Sequence, residues 1–199
     1  MIQVHPIFQT PVFVVELEGL TDELGLAEYI AKMCRETPGT FGAGEVVQSR
    51  YNLNQDPKLA PLCEQVFQTV HSLMRDVYRY KPGYDIEITG MWGNEQKPGC
   101  VFNAHIHYNN VFSGVFFLNS CEGFPPITFW RPVESTLSPM TTQFNVFNQG
   151  SSRFEAKKDT LMLFPSWLRH SVPINQTNTP RLGVSFNVML RGEFYNTMM

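Results

Sequence analysis

The residues best equipped for chemistry in this chain of 199 amino acids are three of its five histidines. His105 and His107 stand in the run Asn103-Ala-His-Ile-His-Tyr108, with one residue between them. Side chains alternate faces along a β-strand, so such a pair points the same way, about 7 Å apart. Two imidazoles so placed can converge on one metal ion. His170 comes much later, closing the hydrophobic stretch Leu161-Met-Leu-Phe-Pro-Ser-Trp-Leu-Arg-His170. Neutral imidazole suits iron, zinc, copper and nickel, and Fe(II) sites for oxygen chemistry need open positions beside a few protein ligands. Each histidine also has an ordinary structural reading, as an incidental pair or a satisfied residue at a barrel rim. Their joint occurrence in a β-rich chain favours a metal. His5 lies near the terminus and His71 falls outside the apolar stripe of its helix; neither is given a role.

Arg181 adds a second constraint. It opens a strand shortly after His170, with Pro173, Asn175, Asn178 and Pro180 turning the chain between them. A strand entering beside His170 could direct the guanidinium into the same cavity, offering a carboxylate a planar fork that lysine cannot match. A surface arginine at a strand start fits the spacing equally well. If the cavity exists, metal and arginine together describe a site that chelates an oxo-acid at one end and grips its far carboxylate at the other.

The elements that must position these groups can be read in order. Pro11–Leu17 reads as a first strand. Thr21 is a candidate N-cap with Asp22 and Glu23 in the first turn, and apolar residues recur at helical spacing from Leu24 to Cys34 before Pro38-Gly39 ends the helix. Asp56-Pro57 starts a second helix, whose stripe runs from Leu59 through Leu62, Val66, Val70 and Met74 to Val77. From Tyr84 the period changes to two: in Asp85–Trp92, Ile86, Ile88 and Trp92 are expected on one face. Further strands are expected at the His-x-His run, Phe112–Leu118, Ile127–Trp130, Phe144–Phe147, Thr160–Phe164 and Arg181–Leu190. Helices followed by about eight short strands predict a mainly β, α+β protein with its helices packed on a sandwich or barrel. A parallel βαβ arrangement is disfavoured, since no helical pattern separates the later strands.

Composition bounds the rest. With 43% hydrophobic residues the chain can bury one sizeable core, so one domain over 1–199 is expected, with the N-terminal strand and helices over 1–83 and the β core over 84–191. A net charge of −3 argues against general affinity for nucleic acid or anionic membranes. No apolar run reaches the length of a membrane span and no signal peptide is visible. The cysteines at 34, 63, 100 and 121 contain no Cys-x-x-Cys pair, which sets aside zinc-ribbon and thioredoxin-like readings and favours reduced thiols in the cytoplasm.

Three segments carry a family likeness: His105-x-His107-x5-Ser113-Gly114-Val115-x-Phe117, then Phe164-Pro-Ser-Trp-Leu-x-His170-x-Val172, then Arg181-x4-Phe186-Asn187. Met91-Trp92-Gly93-Asn94 and Ile127–Pro132 fit the same pattern. Over Met91 to Leu190 the chain resembles the 2-oxoglutarate/Fe(II) oxygenases, and within them a small bacterial and phage branch. The resemblance implies a double-stranded β-helix (jelly roll) with two N-terminal helices packed on one sheet. It implies Fe(II) and 2-oxoglutarate as cofactor and co-substrate, decarboxylation coupled to O2 activation, and hydroxylation of a prime substrate that the sequence does not identify. By position it makes His105 and His170 iron ligands and Arg181 the partner of the distal carboxylate of 2-oxoglutarate.

Two positions depart from the family pattern. The wider superfamily has His-x-Asp or His-x-Glu where His107 stands, and no acid occurs between Glu95 and Glu122 to replace it. Either His107 completes a three-histidine set, or it swings away and a distant carboxylate takes its place, or the metal binds poorly. The family's Arg-x-Ser also reads Arg181-x-Gly183 here, with Ser185 two residues further on as a candidate co-substrate contact. Two other classes stay open. A cupin-like three-histidine dioxygenase would not use 2-oxoglutarate and would leave Arg181 without a task. A non-catalytic jelly-roll binding module would use the histidines only as rim residues.

Overall fold

A computed structural model describes residues 3, 5, 9–36, 39–40, 46–133 and 139–192 of the chain. Its elements are β1 (Phe13–Glu16), α1 (Leu20–Glu23), α2 (Leu26–Glu36), β2 (Gly39–Thr40), β3 (Val46–Gln48), α3 (Ala60–Ser72), β4 (Tyr84–Gln96), β5 (Phe102–His105), β6 (Phe112–Phe117), β7 (Ile127–Trp130), β8 (Ser151–Phe154), β9 (Thr160–Pro165), β10 (His170–Val172) and β11 (Arg181–Gly192). They form two facing sheets: a larger one ordered β1-β9-β6-β11-β4-β3-β2 and a smaller one ordered β5-β10-β7-β8. Every pairing between these strands is antiparallel. This is the α+β jelly roll with helices on one sheet that the sequence predicts.

The larger sheet is covered on both faces, which explains why β6 and β9 are buried without a break. Phe112, Phe116, Leu161, Leu163, Val184 and Phe186 turn outward to Leu26 and Ile30 of α2 and Leu62, Val66 and Val70 of α3. Their sequence neighbours Val115, Phe117, Met162 and Phe164 turn inward to meet Phe102, Ile127, Phe129 and Val172 of the smaller sheet. Period-two alternation thus feeds two cores from one sheet.

The second helix begins as the sequence predicts. The Asp56 carboxylate accepts a 3.0 Å hydrogen bond from the Lys58 N–H beside Pro57, a short 3-10 turn leads into α3, and Leu73–Val77 continue it as a π-helical turn. Other expectations need correction. Thr21 is not the cap of the first helix: it is buried inside α1, and the Gly19 and Thr21 N–H groups donate to the Asp159 carboxylate at 3.2 and 2.9 Å. A break at Gly25, with φ +57°, then separates α1 from α2.

Ile86, Ile88 and Trp92 do not share a face. Asn187 pairs with Gly90 but Val188 with Ile88, so Thr89 is an extra residue that inverts the alternation beyond it. Ile86 and Ile88 therefore face the helices while Trp92 and Asn94 line the space between the sheets. Phe144–Phe147 form an exposed turn instead of a strand, and the strand of that region is β8. The segment Gly39–Ser49 holds β2 and β3, which extend the larger sheet beside β4. Much of the loop Glu134–Thr142 lies outside the described residues. No described helix is long and apolar enough to cross a membrane. Cys34, Cys63, Cys100 and Cys121 are all free thiols.

Candidate metal centre

Strand register brings the histidines together. His170 on β10 is the direct cross-strand partner of His105 at the end of β5, and their rings lie 4.4 Å apart. His107 lies two residues beyond β5, where its N–H donates to the Ser166 carbonyl at 2.9 Å. Its ring sits 5.1 Å from that of His105 and 5.2 Å from that of His170, almost parallel to the latter at 6°. One ligand nitrogen from each of the three histidines falls within 4.8 Å of the others, a group that could hold a metal ion.

Two of the rings are oriented by the same local device. Nδ1 of His105 lies 2.7 Å from the Asn103 carbonyl and Nδ1 of His170 lies 2.9 Å from the Leu168 carbonyl. A carbonyl can only accept, so each Nδ1 carries the proton and each Nε2 keeps its lone pair for a metal. Phe164 packs edge-on against His170 at 4.7 Å. Burial, reinforced by His105 nearby, pushes His107 down to about 4 and His170 down to about 3, so both are neutral ligands at neutral pH.

Arg181 enters the same cavity from the first position of β11. It is 7% exposed, its guanidinium lies 5.0 Å above the Phe117 ring, and its buried Nε has no hydrogen-bond partner. Burial lowers the guanidinium to about 10, which leaves it charged at neutral pH. No acidic residue lines the cavity among the described residues. A buried cation with an orphaned donor and no acid beside it among the described residues has the chemistry to take up an anion.

Ser185 lies on the same face of β11, opposite Trp92, and its Oγ accepts a 2.7 Å hydrogen bond from Asn94 Nδ2, which leaves its own proton to donate. At Gly183 a side chain would bring its Cβ within 3.1 Å of Val115 Cγ2 and 3.2 Å of the Phe116 carbonyl. Val115 thus takes the room in which the family's serine would stand. Sequence reasoning assigned no role to Trp92, Asn94 or Gln48, which also line the cavity. The signal lay in Trp92-x-Asn94-x-Gln96, an alternation of large and polar residues that the bulge at Thr89 turns inward.

Fold and site together define a jelly-roll protein whose smaller sheet presents a cation-ready histidine cluster and whose larger sheet presents an anion-ready arginine. Residues 90–187, which include every one of these groups except Gln48, match the family described as "Putative 2OG-Fe(II) oxygenase". Over this stretch, just under half of the chain, the sequence is similar to the oxygenases that depend on Fe(II) and 2-oxoglutarate.

Solved structures of similar fold include a prolyl-4-hydroxylase of Pseudomonas putida, with 11% identity, 92% of this chain and 94% of that one covered and a TM-score of 0.66. SnoK, a non-heme α-ketoglutarate-dependent carbocyclase of nogalamycin biosynthesis, shows 10% identity over 90% of this chain and 79% of its own, with a TM-score of 0.65. HygX of Streptomyces hygroscopicus, solved with nickel, 2-oxoglutarate and hygromycin B bound, shows 13% identity over 90% of this chain and 83% of its own, with a TM-score of 0.58. No curated protein matches the sequence.

Proposed function

We propose that the protein is a hydroxylase in which His105, His107 and His170 hold Fe(II), and Arg181 with Ser185 holds the distal carboxylate of 2-oxoglutarate. The observation that carries this reading is the pairing, in a cavity lined by no acid among the described residues, of three mutually close imidazoles with a buried arginine whose Nε has no partner. When bound, iron and 2-oxoglutarate supply the oxidative decarboxylation that couples O2 to oxygen insertion into a C–H bond.

The chain's own part is positioning and electrostatics. The Nδ1 bonds of His105 and His170 fix each ring and make Nε2 the nitrogen that would ligate the ion. Phe117 and the wall of Val115 and Phe164 keep water from competing for Arg181. Asn94 fixes Ser185 so that its hydroxyl can donate toward a carboxylate beside Arg181. With three neutral ligands in place of two and a carboxylate, more positive charge remains at the centre, which strengthens its hold on a dianionic chelator. The cupin-like reading leaves Arg181 buried without a partner, and the non-catalytic reading leaves both the arginine and the imidazole cluster unexplained.

Anaerobic addition of Fe(II) and 2-oxoglutarate together should give a visible absorption band that neither gives alone. Admitting O2 should then convert 2-oxoglutarate to succinate. The reading falls if no band forms and no succinate appears. A C–H-bearing small molecule is proposed as the prime substrate, supported by the likeness in fold to HygX, which was solved with hygromycin B bound.

A further inference from the structure

His107 differs from its two companions in having nothing obvious to orient it. It lies beyond the end of β5, and its ring makes no hydrogen bond among the described residues, whereas His105 and His170 are each fixed by a carbonyl. What it has is an aromatic neighbour. The Trp92 ring lies 6.0 Å away at 33°, and Tyr51 stacks on the far side of Trp92 at 4.6 Å and 16°. Tyr51 is 53% exposed, yet it is more firmly seated than a surface ring requires. Its carbonyl accepts from the Met91 N–H at 2.9 Å. Its ring lies across Gly90, where a Cβ would come within 1.9 Å of Cε1. Its hydroxyl accepts a 2.8 Å hydrogen bond from Asn187 Nδ2.

Asn187 is itself held from below. Its Oδ1 accepts from Ser113 Oγ at 2.7 Å, and Ser113 Oγ lies 2.8 Å from Ser166 Oγ. All three are buried, at 3%, 1% and 0% exposure. Ser166 is also the residue whose carbonyl receives the His107 N–H. The contacts therefore close on themselves, from His107 through Ser166, Ser113, Asn187, Tyr51 and Trp92 back to the His107 ring. Trp92 is braced once more by its Nε1–H to Asn94 Oδ1 at 3.2 Å.

We infer that Tyr51 is a positioning residue for His107: it clamps Trp92, and Trp92 holds the His107 imidazole in the three-histidine set in place of the hydrogen bond that the other two possess. This rests on the proposed ligand role of His107. Hydrogen-bonded partners that orient ligating histidines are worth about 10- to 100-fold in metal affinity, and the Tyr51–Trp92 stack takes that orienting task by packing at His107.

The test is Co(II) binding to the full chain, read as Kd and as the visible spectrum of the bound ion, in wild type and in Tyr51→Ala, Tyr51→Phe, Gly90→Ala and His107→Ala. Circular dichroism and a thermal melt of the metal-free proteins establish that each is folded. Tyr51→Ala is expected to weaken Co(II) about tenfold and to shift its spectrum toward that of His107→Ala. Tyr51→Phe, which keeps the stack and loses the hydroxyl, retains the wild-type spectrum. Gly90→Ala, which keeps the tyrosine but expels its ring, reproduces Tyr51→Ala; should it fail to fold, the two Tyr51 variants decide. A wild-type Kd and spectrum in Tyr51→Ala overturn the inference while leaving the three-histidine reading intact, as does a Tyr51→Phe variant as impaired as Tyr51→Ala. An unaltered spectrum in His107→Ala overturns both.

Discussion

At the scale of single residues, Arg181 shows most plainly how function is set against stability. Its guanidinium is buried and charged, stands against the face of Phe117, and has no carboxylate beside it among the described residues of the cavity. Such a group destabilises the empty protein, and replacing it with an apolar side chain of similar length removes that burden. Arg181→Met is thus expected to melt no lower than wild type when metal-free. In the Fe(II) form its Kd for 2-oxoglutarate rises by roughly 10- to 100-fold, the loss of a charge-assisted contact of about 1.5–3 kcal/mol. Thermal melts and anaerobic titration measure the two effects separately; unchanged affinity would remove Arg181 from the co-substrate pocket. The sequence showed where this arginine stands, at the start of a strand soon after His170. Its burial was not legible, because the space it fills is closed by Phe117 from another strand. Ser185 is similar: its spacing from Arg181 is visible in sequence, but the Asn94 amide that orients its hydroxyl comes from a partner strand.

At the scale of elements, the informative features are those where distant residues override local signals. Thr21 has the right type and place for an N-cap, yet the first turn is capped by Asp159, a residue at φ +60° in the turn before β9. That carboxylate ties α1 to the strand that pairs with β1. Asp159→Ala should cost about 1–2 kcal/mol. A lower denaturant midpoint with an unchanged slope would show it, and Asp159→Asn should recover part of the loss because its amide oxygen still accepts. A midpoint equal to wild type in Asp159→Ala would mean that solvent satisfies the Gly19 and Thr21 N–H groups equally well. The strand β4 is the second case. Its alternation is legible from Asp85 to Ile88 and again from Trp92 to Gln96, but the phase between the two halves depends on the extra residue Thr89. A bulge is a property of a pair of strands, and one strand's sequence does not announce it. Asp56-Pro57, by contrast, acts entirely within its own turn, and its effect on the start of α3 was readable directly.

At the scale of the whole molecule, the site is divided between layers. All three histidines belong to the smaller sheet or the segment that follows β5, whereas Arg181 and Ser185 belong to the larger sheet that the helices brace. The alternation of apolar residues made the α+β class and the helix-covered sheet legible. The separation of the histidine cluster and Arg181 onto facing sheets was not, since it depends on which strands fold across from which. A metal bound by the histidines ties together β5, β10 and the His107 segment. A co-substrate that chelates that metal and reaches Arg181 spans the gap between the sheets. Metal at a hundred times its Kd should therefore raise the melting temperature by roughly 5–10 °C. 2-Oxoglutarate alone should do little, because half its contacts are missing, and the two together should stabilise by more than the sum of their separate effects. The measurement is a set of four melts with a redox-inert ion such as Ni(II) under otherwise identical conditions. Strictly additive shifts would mean that the two ligands bind independently, and would argue against a single chelate bridging His105, His107 and His170 to Arg181. Repeating the set with Arg181→Met locates the coupling: the metal increment should survive and the excess over additivity should disappear.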